Sequence, residues 1–151
     1  MMDPAKLGML RRLFEEQIPF NRLLGIRVIS AEKGKAALGF DFRPELVGNF
    51  KMNILHGGVI ASVLDLAGGA AVIAAYRDDE PLHGMGTVDL RTDYLRPGTG
   101  KRFVATGEVL RHGRILSSTR MELRNEDDAL IAAGTAVYRT SAKDEYVLMN
   151  L

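Results

Sequence analysis

The chain has 151 residues, 46% hydrophobic and 26% charged, with no cysteine, no tryptophan and a formal net charge of +1. These figures predict one compact domain over residues 1–151 with a substantial core, and they argue against disorder or a multidomain assembly. Without cysteine there is no disulfide, cysteine-bound zinc, iron–sulfur centre or thiolate nucleophile, so any chemistry falls to carboxylates, hydroxyls, histidine or backbone amides. The opening Met-Met-Asp-Pro-Ala-Lys lacks the apolar core of a signal peptide, and a cysteine-free chain suits the cytoplasm.

Residues 1–22 read as an N-terminal helical extension. Leu7, Leu10, Leu13 and Phe14 recur at helical spacing over 4–17, with Asp3 as N-cap before Pro4 and Pro19 as terminator. Two strand-like runs follow, 24–30 and 35–43, separated by Glu32-Lys33-Gly34, and then a loop over 44–55. The segment 57–76 has Asp65 as its only charge. It is long enough to span a bilayer, but a carboxylate near mid-span and four glycines favour a helix buried on all faces inside a soluble fold. Four more extended runs, 82–95, 102–112, 115–124 and 129–140, are separated by turn signals at Pro97-Gly98-Thr99-Gly100, His112-Gly113 and Asn125-Glu126-Asp127-Asp128. The order predicts an α+β fold in which one antiparallel sheet curls around a long central helix.

Residues 91–124 hold eight basic side chains against three acidic ones, an excess of five, whereas 125–151 hold two basic against five acidic. A weakly basic, aromatic-poor stretch makes a poor nucleic-acid surface but suits a small phosphorylated ligand. On charge alone, the preferred reading is arginines alternating on solvated strand faces. Several motifs fail. Gly98-Thr99-Gly100-Lys101-Arg102 lacks the first glycine and the hydroxyl residue of a phosphate loop, and Gly84-Met85-Gly86 leads into a strand without a third glycine. Ser62 is in no nucleophile elbow. His56, His83 and His112 fall in separate segments, so no metal site is expected, and His83 and His112 read as strand-end or turn residues.

What survives is Asn49, His56-Gly57-Gly58 and Asp65. Glycines at a helix start leave backbone N–H groups uncrowded at the positive end of the dipole, able to polarise a carbonyl and hold an oxyanion. Asp65 lies nine residues after His56, roughly 13 Å along a helix axis. If both serve one reaction, Asp65 comes from a second copy of the chain. Asp65 could instead be a structural carboxylate bonded to backbone or hydroxyls, but a buried carboxylate beside His-Gly-Gly is costly to keep without a role. Gly57, Gly58, Gly68 and Gly69 also read as glycines permitting close helix–sheet packing.

Leu55-His56-Gly57-Gly58-Val59, Asp65, Thr87-Val88-Asp89-Leu90 and Tyr94-Leu95-Arg96-Pro97 together resemble the hotdog-fold acyl-CoA thioesterases of the phenylacetate-type (PaaI) subgroup, over about residues 23–139. The resemblance implies a sausage-like helix in a sheet bun, homodimers with active sites at their interface, possibly paired into homotetramers, and hydrolysis of a small-molecule acyl-CoA without metal or other cofactor. It implies that Gly57 donates to the thioester oxygen, that His56 orients the loop and thioester, that the partner's Asp65 is general base or nucleophile, and that Thr87 helps hold the water. Asn49 resembles the family's water-positioning asparagine one residue off the usual spacing, where Phe50 stands; Asn53 is the alternative. Gly58, Arg91, Arg96, Gly113 and Arg114 are the residues implied near coenzyme A, and Phe50, Met52, Val59 and Leu66 line the pocket. A second reading on the same fold is a non-catalytic acyl-CoA binding or sensing module, although too little chain precedes residue 23 for a DNA-binding domain. A hotdog hydratase or dehydratase is a third, but no carboxylate follows His56 until Asp65. No membrane or nucleic-acid partner is expected.

Overall fold

A computed structural model describes residues 2–77 and 84–140. In chain order these form α1 (Pro4–Arg11), a π-helical turn (Arg12–Gln17), α2 (Pro19–Leu24), β1 (Arg27–Glu32), β2 (Lys35–Asp41), a 3-10 turn (Pro44–Leu46), β3 (Val47–Asn49), β4 (Ile54–Leu55), α3 (Gly57–Ala75), β5 (Gly86–Tyr94), β6 (Arg102–His112), β7 (Leu116–Asn125) and β8 (Leu130–Arg139). Six strands make one antiparallel sheet in the order β1-β2-β6-β7-β8-β5, while β3 and β4 form a separate two-stranded ribbon. The expected helix and strands fall within a few residues of these bounds, and the sheet curls around α3 as the resemblance implies. The expected strand start at 82–83, and His83 with it, lies outside the described residues.

Alternation places every second strand residue against the helix. Ala36, Leu38 and Phe40 of β2, Phe103 and Ala105 of β6, Met121 and Leu123 of β7, and Ala136 and Tyr138 of β8 are all buried. Phe40 and Phe103, opposite one another in register, stack with ring centroids 5.2 Å apart. The helix meets them with Val63, Leu64 and the small residues Ala67, Gly68, Ala70 and Ala71. Small side chains let the two backbones approach closely: a Cβ at Gly107 of β6 would fall on the carbonyl group of Ala67. By length and composition α3 could cross a membrane, yet 61% of its apolar window is buried inside the fold.

Two expectations need correction. The N-terminal segment is not one helix stopped by Pro19; it widens into a π turn after Arg11, and Pro19 opens α2, where its missing N–H costs nothing at a first helical position. Strand β1 therefore starts at Arg27, after Gly25 in the left-handed region at φ 71°. The segment is fastened by Lys6, whose ammonium donates to the Tyr76 carbonyl beyond the end of α3, and by Glu15, whose Oε1 accepts from the Val28 N–H at 2.7 Å. Nor is α3 buried on all faces: Ala61, Ser62, Asp65 and Leu66 stay half-buried because the sheet covers only the opposite side.

The basic stretch is partly paired, as alternation on strand faces implies. Glu108 stands in register between Lys35 and Arg120 and bonds to both, so Arg120 first and Lys35 second hold its carboxyl below the usual carboxylate range. Such exposed pairs contribute little to stability.

Gly107→Ala is expected to destabilise the fold by about 1–3 kcal/mol, because the added methyl meets backbone that cannot swing aside. Gly8→Ala, in α1 with nothing within 4 Å of an added Cβ, is expected to stabilise by about 0.5–1 kcal/mol. Urea midpoints of the two variants at one protein concentration check both signs.

Candidate active site

The start of α3 is built on His56. This residue is extended at φ −64° and ψ 136°, and its Nδ1 accepts from the Gly58 N–H at 2.8 Å, which places the ring proton on Nε2. Its own N–H donates to the Leu46 carbonyl at 2.8 Å, and its carbonyl accepts from Val59 and Ile60. Gly58, Val59 and Ile60 are thereby satisfied. The Gly57 N–H is left as the first-turn donor without a hydrogen bond among the described residues, at the positive end of a 19-residue helix. The Tyr94 hydroxyl donates to the Gly57 carbonyl at 2.9 Å, and its ring lies at ordinary contact distance from where a Gly57 Cβ would stand. At Gly48 a Cβ would press on the His56 Cα.

Asp65 faces a different space. Thr87 Oγ1 donates to its Oδ1 at 2.9 Å, joining mid-helix to β5. The Tyr138 hydroxyl donates to the Asp65 carbonyl at 2.7 Å and lies close enough to the carboxylate to feel its charge. Burial first, and the Asp65 charge second, push the Tyr138 phenol well above its ordinary range, so it remains a protonated donor. Asp65 itself is half-buried, not the fully buried carboxylate expected. Together with Thr87 it lines a cavity of about 310 Å³. Gly57 lines a separate hollow with Tyr94 and Arg96, and His56 a third with Ser62 and Val59.

Residues 52–132 match the family model of the thioesterase superfamily. The chain belongs to that superfamily. It is 45% identical over 142 residues to the medium/long-chain acyl-CoA thioesterase YigI of Salmonella typhimurium, an alignment covering 87% of this chain and 92% of that one. Human acyl-coenzyme A thioesterase 13 is 30% identical over 118 residues, covering 76% of this chain and 80% of that one. Among solved structures, a thioesterase-superfamily protein from Shewanella oneidensis superposes with a TM-score of 0.81 at 40% identity, covering 93% of this chain and all of that one.

The remaining expected site residues of this thioesterase-superfamily chain are more scattered. Asn49 Oδ1 accepts from the Lys51 and Met52 N–H groups at 3.1 and 3.2 Å, so the side chain shapes its own turn. Asn53 holds φ 52°, a left-handed turn position that asparagine tolerates. Neither lines the Asp65 cavity, which includes Leu66 but not Phe50, Met52 or Val59. Arg91 pairs with Asp93 at 3.1 Å, and Arg96 donates to the Leu130 carbonyl at 2.9 Å. Gly113 turns the β6–β7 hairpin, with its N–H on the Leu116 carbonyl and its carbonyl accepting from Thr140. Arg114 beside it is exposed. Sequence reasoning gave no role to Tyr138, Tyr94 or Gly48. The signal for Tyr138 was a phenol in an otherwise apolar strand facing Gly68.

His56→Ala is expected to destabilise the protein by about 1 kcal/mol through loss of the cap, whereas His56→Asn, another good capping residue, retains most of the stability. Urea unfolding of both variants tests the assignment; equal losses would remove capping as the histidine's structural role.

Proposed function

We propose that this chain, an acyl-CoA thioesterase, hydrolyses medium- to long-chain acyl-coenzyme A at sites shared between two subunits. The single observation that carries the shared site is the division of the machinery along α3. The Gly57 donor and the Asp65–Thr87 pair sit eight residues apart on one rigid helix, about 12 Å, and face separate hollows. In this reading the Gly57 N–H of one subunit polarises the thioester carbonyl while Asp65 of the other takes a proton from water. The water oxygen attacks the carbonyl carbon, the oxyanion is held at the helix start, and its collapse breaks the carbon–sulfur bond. The coenzyme A thiolate leaves and recovers a proton. The reaction consumes only water, so the proposal includes no metal or redox cofactor.

Thr87 fixes Oδ1 of Asp65, which holds the carboxylate towards the water. His56 sets the orientation of the Gly57 peptide through its bond to Gly58. Asn49 remains the proposed water-positioning residue, acting across the interface, and Gly58, Arg91, Arg96, Gly113 and Arg114 the residues proposed near coenzyme A. Support for a dimer comes from β5, a nine-residue edge strand paired only with β8 and carrying exposed Val88 and Tyr94. The free backbone groups of an edge strand are a template on which a second copy can pair. Further pairing into tetramers and a cytoplasmic location belong to the same proposal.

Asp65→Asn is expected to lower kcat by about 10²–10⁴ on an acyl-CoA panel. An undiminished rate would remove Asp65 as the base, and tight acyl-CoA binding by a wild type without turnover would favour a binding module. Gly57→Pro deletes the N–H at a position where proline is compatible with the helix and with the extended His56, and is expected to cost about 10²–10³ in kcat. Co-expressed Asp65→Asn and Gly57→Pro chains are expected to recover about a quarter of the wild-type rate, since random pairing makes half the dimers mixed and each of those holds one intact site. Sites contained within one chain would stay inactive.

A further inference from the structure

The 310 Å³ cavity beside Asp65 is lined mostly by apolar side chains. Asp65 and Thr87 lie at one end. The rest is Leu66, Gly69 and Ile73 of α3, Tyr76 just beyond it, Met85 and Gly86 at the start of β5, Tyr138 of β8, and Leu13, Phe14 and Ile18 of the N-terminal segment. Leu13 and Phe14 belong to the π-helical turn, a conformation that occurs often at functional sites. The cavity follows one stripe of α3, Asp65, Gly69 and Ile73, each four residues from the next and together spanning about 12 Å.

Gly69, at the centre of that stripe, is the informative position. Glycine in a helix interior is unfavourable relative to alanine and needs a reason. For Gly68 the reason is packing, because a Cβ there would fall on the Tyr138 hydroxyl. For Gly69 it is not, contrary to the expectation from sequence: the nearest atoms to an added Cβ are the flexible tip of Met85 at 3.3 Å and the Tyr138 ring at 3.8 Å. A side chain fits here only if the Met85 tip moves aside, so what the glycine preserves is room at the cavity wall beside the carboxylate.

We infer that the substrate's acyl chain lies in this cavity, in the subunit that supplies Asp65, and that Gly69, Met85 and the N-terminal residues Leu13 and Ile18 set the length of chain enclosed, around ten carbons. The length follows from volume, since about 310 Å³ holds about ten groups of about 30 Å³, the size of a water or a methylene. Apolar walls favour each further methylene enclosed until the space is full. The inference rests on the thioesterase reading and adds to it that the N-terminal segment is a wall of the acyl site.

The test compares kcat/KM for hexanoyl-, decanoyl- and dodecanoyl-CoA in wild type, Gly69→Leu and Met85→Ala, with folding checked by thermal melting. Gly69→Leu is expected to lower the decanoyl-to-hexanoyl ratio at least tenfold, at about fourfold for each methylene kept out. Met85→Ala, a truncation at a half-buried position that keeps the test decisive if the leucine variant unfolds, is expected to raise the dodecanoyl-to-decanoyl ratio by a similar step. A wild type that turns over acyl-CoA, with ratios unchanged in the folded variants, overturns this inference alone. A wild type with no turnover on any acyl-CoA overturns the thioesterase reading and this inference with it.

Discussion

The site depends on one close approach, the backbone of α3 against β6 and β8 at Gly107 and Gly68. Because neither residue has a side chain, the Ala67 carbonyl comes down onto β6 and the Tyr138 hydroxyl reaches past Gly68 to the Asp65 carbonyl. Burial keeps that phenol protonated, so it is a permanent donor. Thr119, buried beside it, completes the polar contact. The same stretch of helix is thus pressed to the sheet by apolar packing and fixed by hydrogen bonds from Tyr138 of β8 and Thr87 of β5. Asp65, one turn before the contact, inherits its position from both. Two adjacent glycines in a helix interior are unfavourable by propensity, and at Gly68 that cost is offset by the packing it permits.

A straight helix then sets the geometry of the proposed reaction. It holds the donor at its start and the carboxylate mid-way at a fixed separation, and no side-chain rotation closes about 12 Å. The sheet shields the inner face of α3, where Val63, Leu64 and Ala67 are fully buried, and leaves Ala61, Ser62, Asp65 and Leu66 half-exposed. A second copy docked at this face and the adjacent β5 edge would bring a donor to each carboxylate. The partly open helix face and the unpaired strand edge are then two aspects of one unfinished surface.

Most of this architecture was legible in the sequence, because strands and the central helix announce themselves by period. The run 57–76 is apolar enough to need a cover on most of its surface, and four β-rich runs with turn residues between them supply a sheet for it. The family resemblance singled out Thr87 and Asp65 but not the bond between them. What was not legible depends on contacts between distant segments. Nothing local in Leu13-Phe14 says that the turn is π-helical or that it walls a cavity with Met85, some seventy residues away. Pro19 reads equally well as the end of one helix or the start of another. The degree of burial of Asp65 depends on how far the sheet curls, which periodicity does not encode. Gly68 and Gly69 are indistinguishable in sequence and differ only in what stands opposite them.

The charge distribution acquires a similar resolution. Of the eight basic residues in 91–124, Arg91, Arg120 and Arg124 have carboxylate partners at 3.1, 2.6 and 3.0 Å, and Arg96 is engaged with a backbone carbonyl. Arg102 is near enough to Asp41 to lower its carboxyl, and the Lys101 N–H binds Glu126. Arg111 and Arg114, on the exposed β6–β7 hairpin, have no ion pair among the described residues. A phosphorylated ligand meeting Arg91 would have to compete with Asp93 for the guanidinium, whereas at the hairpin it breaks no existing pair. The local excess of positive charge is therefore concentrated where binding a phosphate costs least. The apolar cavity beside Asp65 runs up to this hairpin, because Tyr76, which lines it, packs edge-on against His112 with ring centroids 4.9 Å apart.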